Sequence, residues 1–318
     1  MLPVDVNSPL LWVGFNLFIL SLLALDLGVF HRKSQAVSFR EAIVWSGVWI
    51  SISLLFNFGI YLWRGEEIAI QFLTGYLIEK ALSVDNIFVF LTIFSSFKIA
   101  AKHQHRILFW GILGALVMRG LFIWAGVELL NWFHGVIYVF GAFLIVTGVR
   151  MALIKKEEDL EDNKAVQFVS KILTVAPGGE TGKLFVTQNG KLRPTKLFLV
   201  LVVIEVTDLI FALDSIPAVL AITPDPFIVY SSNVFAILGL RSLYFALSGV
   251  AERMLYLHYG LAAILVFVGS KMILNDWVHI PTLISLTVIF LLLTVSIVAS
   301  LVAKKRTAKR TARQRTSK

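Results

Sequence analysis

The chain contains no cysteine. That single absence excludes disulfides, thiolate metal sites, cysteine nucleophiles and thiol redox chemistry. Methionine is scarce, with five, and none falls in the two acid motifs described below. Charge is scarce too: 15% of residues are charged against 58% hydrophobic, and mean hydropathy is +0.82. A soluble fold of 318 residues cannot bury that much apolar surface, so composition points to a membrane protein. The ATP-binding pattern Gly-x-x-x-x-Gly-Lys is also missing, so any transport would draw on an ion gradient or the membrane potential. The net charge of +9 sits in loops and the C-terminal tail and is not interleaved with aromatics. Membrane topology accounts for it, and no nucleic-acid partner is expected.

What is present is apolar sequence interrupted by acids. Taking about 20 apolar residues per span, about nine helices are predicted, near residues 9–30, 41–63, 69–97, 106–130, 132–154, 195–222, 227–251, 256–276 and 280–302. The expected fold class is an all-α polytopic membrane protein with an inverted repeat of three helices. Residues 1–68 hold two leading transmembrane helices, 69–154 repeat one, 155–194 a cytoplasmic loop, 195–276 repeat two and 277–303 the last helix. A basic, disordered tail is expected over 304–318. Within the loop, Asn189-Gly190 beside a β-prone run predicts a small hairpin. The first helix ends on His31-Arg32-Lys33 and lacks a cleavage site, so it reads as a true span. Basic loops alternate with acidic ones, which puts the N-terminus outside and the C-terminus in the cytoplasm.

Two stretches carry the chemistry: Glu79-Lys-Ala-Leu-Ser-Val-Asp85-Asn86-Ile87 and Asp208-Leu-Ile-Phe-Ala-Leu-Asp214-Ser215-Ile216. A charged side chain at mid-bilayer costs roughly 3 kcal/mol even on lenient scales, so an acid pair written twice marks a functional site. The copies lie 129 residues apart, and flanking sequence repeats as well: Gly114–Arg119 resembles Ala236–Arg241, and Gly148-Val-Arg150-Met151 resembles Gly269-Ser-Lys271-Met272. An odd number of spans per copy inserts the second copy upside down, with its site near the midplane.

The candidate ligands are Glu79, Asp85, Asn86, Glu205, Asp208, Asp214 and Ser215. All are hard oxygen donors, suited to Mg²⁺, Ca²⁺ or Mn²⁺. Six acids in the spans against four bases (Lys80, Arg119, Arg241 and Lys271) leave two negative charges, which a divalent ion would neutralise. Arg119 and Arg241 hold matching places and read as counter-charges; Lys80 pairs with an acid or carries its own role. Asp26 and Asn57 read as helix glue, and Gly111, Gly114, Gly141 and Gly148 as close-packing surfaces. Pro217, three residues after Asp214, predicts a kink or break in that helix. The expected partners are the bilayer and the metal as substrate, with no resident cofactor and no enzymatic activity. Three rivals are a scaffold or stress-resistance protein, which would tolerate neutral motif acids; an exporter of an organic cation or amino acid, against which five acids and few aromatics around the site argue; and an intramembrane aspartyl protease using Asp85 and Asp214, whose Gly-x-Gly-Asp setting is missing here.

The stretches Gly75–Asn86, Glu205–Ala218 and Asn233–Arg241 resemble the TerC family of membrane proteins, and its Alx-type branch above all. The resemblance runs from about residue 9 to 302. It implies a lysine-exporter-type inverted-repeat fold and a cytoplasmic-membrane Mn²⁺ exporter. Carried over, the metal acids are Glu79, Asp85, Glu205, Asp208 and Asp214. The residues themselves give only a hard divalent cation; manganese, or the tellurite resistance of the family name, is what the likeness adds.

Overall fold

A computed structural model describes residues 8–30, 39–133, 135–153, 182–188, 191–248, 256–278 and 280–316. Ten helices are seen there: α1 (Pro9–Phe30), α2 (Phe39–Arg64), α3 (Glu66–Ser96), α4 (Ala101–Trp132), α5 (Val136–Leu153), α6 (Lys196–Leu220), α7 (Pro226–Leu238), α8 (Leu240–Ser248), α9 (Leu257–Leu274) and α10 (Thr282–Thr316). Between α5 and α6 lie β1 (Phe185–Gln188) and β2 (Lys191–Pro194), antiparallel, with Gln188 opposite Lys191. The hairpin expected from the loop composition is therefore present, although Asn189 and Gly190 themselves lie outside the described residues. So does most of the 155–194 loop.

The protein is an all-α polytopic membrane protein. By length and apolarity six of the described helices can cross a bilayer (α1, α2, α4, α5, α9 and α10), and α7 with α8, bent by 40°, makes a seventh. The expected nine exceeds that count because α3 and α6, at 31 and 25 residues, carry the charged motifs that lower their apolarity. Burial sorts the spans. Only 17% of α2 and of the α10 span is buried inside protein, against 56% of α9. The apolar outer faces of α2 and α10, Leu55 and Leu283 among them, are what a lipid-facing rim requires.

The two units of the sequence repeat interlock. The first helix of each packs against the second of the other, α3 on α7 and α4 on α6, the two first helices touch, and the third helices, α5 and α9, make the most extensive pairing. Glycine permits that last contact. A Cβ on Gly141 would stand 2.9 Å from the Gly269 carbonyl, and one on Gly148 would stand 2.7 Å from that of Ala262. An offset of 121 carries Gly141 onto Ala262 and Gly148 onto Gly269, so the two close approaches exchange with one another.

Three expectations change here. α6 runs on with Pro217 inside it, so of the kink or break predicted beside Asp214 the break is absent. One missing N–H near the end of a helix is tolerated where neighbours pack around it, as they do in a membrane bundle. The break falls instead at Gly239, between α7 and α8. There Lys80 donates to the Ala236 carbonyl at 3.1 Å, which satisfies one of the acceptors a helix end leaves open. A Cβ on Gly239 would lie 2.8 Å from that ammonium, so glycine makes the room. Third, α10 continues to Thr316 where sequence alone predicts a disordered tail; its alanine, lysine and arginine are strong helix formers.

At the start of α7, Asp225 accepts from the Phe227 and Ile228 amides at 3.0 and 3.2 Å, with Pro226 in the first turn. The same carboxylate pairs with Arg64 at 2.5 Å and so ties α7 to the end of α2.

Candidate functional site

Four helices meet at one buried guanidinium. Arg119 on α4 is 2% exposed and has acceptors on three neighbours. Its NH1 pairs with Glu79 Oε1 on α3 and donates to Asn233 Oδ1 on α7 at 2.9 Å and to Ser215 Oγ on α6 at 3.4 Å. Nε and NH2 donate to the two oxygens of Asp208 on α6, both at 3.2 Å, the forked geometry that arginine alone supplies. Asn233 is held in orientation by its own Nδ2, which donates to the Val229 carbonyl at 3.1 Å. Glu79 and Asp208 are equivalent positions of the repeat, and here they share one cation.

One turn before Asp208 stands Glu205, a further acid on the same helix. Its carboxylate lies against Gly114 of α4, so closely that a Cβ there would overlap all three carboxylate atoms. Gly114 is thus a cradle for the acid, beyond the helix packing expected from sequence. Glu205 Oε2 and Glu79 Oε2 are both buried and meet no hydrogen-bond donor among the described residues. The centre accordingly holds two carboxylates on a single arginine, with a third, Glu205, one turn along α6 from Asp208. Beside Asp208, toward Arg241, lies a void of about 10 Å³, no more than one water needs.

The other predicted residues fall elsewhere. Asp214 is half-buried further along α6, within reach of the Thr147 hydroxyl on α5. Asn86 is buried on α3, while the side chain of its neighbour Asp85 lies outside the described residues. Arg241, the repeat partner of Arg119, joins a different pair: its NH2 lies 2.8 Å from Asp26 Oδ2 and 3.1 Å from the Asp26 carbonyl, tying α8 to α1. Among the described residues no group of three or more His, Asp or Glu is arranged to hold a metal ion. Arg119 itself occupies the place between Glu79 and Asp208. Sequence reasoning missed Asn233; a lone amide inside the apolar run Phe227–Leu238 was the available signal.

The model of the integral membrane protein TerC family matches residues 64–308. A protein of Escherichia coli strain K12, named "Putative membrane-bound redox modulator Alx", is 47% identical over 303 residues, covering 92% of this chain and 94% of that one. An uncharacterized membrane protein of Myxococcus xanthus is 51% identical over 302 residues, 95% of each chain. Another from Rickettsia bellii is 45% identical over 294 residues, covering 92% of this chain and 97% of its own. No solved structure matches.

Proposed function

Since the chain belongs to the TerC family of integral membrane proteins, we propose that it is a secondary transporter exporting a divalent cation, Mn²⁺, across the cytoplasmic membrane. One observation carries this reading: Glu79 Oε2 and Glu205 Oε2 are buried carboxylate oxygens without donors, beside an Asp208 already committed to Arg119. Buried acceptors are seldom left unmet without a functional reason. Hard oxygen donors of this kind suit Mn²⁺ better than soft metals.

Arg119 is then the counter-cation of the closed state. A substrate ion entering between Glu79 and Asp208 takes over its role, and the arginine retains Asn233 and Ser215 while yielding a carboxylate. Protons serve the same end, because neighbouring acids titrate as a set and a metal ion displaces protons as it binds. The two repeat units, inserted in opposite senses, supply Glu79 from one and Asp208 with Glu205 from the other. Alternating access rocks one unit on the other, with α5 and α9 as the packed pair between them. Asp85 and Asp214 serve as further stations along the same path. The basic loops support an orientation with the N-terminus outside and the C-terminus in the cytoplasm. With no cysteine in the chain, a redox effect like the one in the E. coli relative's name would arise indirectly, through the cation moved.

Proteoliposomes with a Mn²⁺-sensitive dye inside test the reading. Wild-type protein should accelerate Mn²⁺ entry over protein-free vesicles, and Glu205→Gln should return the rate to that background with the thermal midpoint kept. Folded protein that moves none of Mn²⁺, Mg²⁺, Ca²⁺ or Zn²⁺ would sink the transport reading in favour of a scaffold.

A further inference from the structure

A second site lies apart from the Arg119 centre. A cavity of about 770 Å³ opens on the face that carries Arg64 and Asp225, between the first turns of α3, the ends of α6 and α9 and the start of α10. Lys271, in the last turn of α9, lines it and is 5% exposed, yet its ammonium meets no hydrogen-bond or ion-pair partner among the described residues. The helix C-terminus favours a cation there by only about 0.3–1 kcal/mol, so the ammonium at the cavity wall, its stem buried, is left short of counter-charge. An anionic group in the cavity would close that gap.

The remaining wall says what kind of anion. Glu66 and Glu67 stand exposed on the same cavity, with Gln71 one turn further in, so a purely anionic ligand would meet two like charges. A group bearing both an anion and an ammonium satisfies both ends. Leu130 and Leu283 make the wall apolar toward the bilayer, and α10, which carries Leu283, is among the least buried spans. The volume far exceeds a phosphate ion. An amphiphile fits where a bare ion would rattle.

We propose that this cavity binds a zwitterionic aminophospholipid, with the headgroup phosphodiester on Lys271, the ammonium toward Glu66 and Glu67, and the acyl chains along Leu130 and Leu283. Such a lipid would wedge α3, α6, α9 and α10 together at one membrane face. The claim is independent of what the carboxylate centre carries.

Delipidated full-length protein titrated in native mass spectrometry with phosphatidylethanolamine, phosphatidylglycerol and soluble O-phosphoethanolamine decides it. Phosphatidylethanolamine should bind wild type about tenfold or more tightly than phosphatidylglycerol, and Lys271→Met should weaken it by about tenfold or more, the usual worth of a charged hydrogen bond. The exposed pair Glu66→Gln with Glu67→Gln, which leaves the core untouched, should erase the preference between the two lipids. Equal binding of both lipids by wild type, or a preference unchanged in the glutamine pair, would overturn the proposal. So would O-phosphoethanolamine binding as tightly as the lipid.

Discussion

Arg119→Met is expected to destabilise the protein by about 3–5 kcal/mol, the range found when one partner of a buried ion pair is removed. The substitution leaves Glu79, 0% exposed, and Asp208, 6% exposed, facing each other with no counter-charge. It also strands the Asn233 amide oxygen, which accepts from the same guanidinium. Thermal unfolding in detergent should show the loss directly. Arg119→Lys should recover part of it, since an ammonium keeps the charge but not the fork that reaches both oxygens of Asp208. Removing all three charges together, as Glu79→Gln, Arg119→Met and Asp208→Asn, should restore stability close to wild type. A neutral buried cluster costs no more than a paired one.

Gly114→Val is the second large effect. Even one added carbon at that position falls inside the Glu205 carboxylate, and the atoms it meets include both carboxylate oxygens. Two helices must separate or the acid must swing out of the centre, at a cost of about 1–3 kcal/mol for overpacking. Mn²⁺ flux should fall to background in either case. Adding Glu205→Ala to the valine variant should recover the thermal midpoint and not the flux, because the room is restored while the ligand is gone. Recovery of both would mean that Glu205 is a packing residue only.

Much of this centre was legible before any coordinates. Glu79 and Asp208 stand out because an acid in an apolar run is expensive, and their equal spacing to a second acid betrays duplication. Arg119 followed as a counter-charge. Which acids it would hold did not follow, because that depends on how four helices cross, and spacing along one chain is silent on crossing. Arg241 is a counter-charge too, as expected, but its acid, Asp26, comes from α1 outside the repeat, which the equivalence with Arg119 does not reveal. The helix break was misplaced because Pro217 is a local signal, whereas the break at Gly239 rests on Lys80 reaching across from α3. Asn233 had a signal, a lone amide in an apolar run, but not its role, and the cradle at Gly114 was unreadable, since a small residue in a span looks alike whether it packs or positions.

The neutralised centre tests the central claim most directly. Wild type and the triple variant Glu79→Gln, Arg119→Met, Asp208→Asn would be reconstituted side by side and Mn²⁺ entry followed in both, with thermal midpoints measured on the same preparations. The account predicts matched stability and Mn²⁺ entry only in wild type. Mn²⁺ entry at the wild-type rate through the folded triple variant would contradict it.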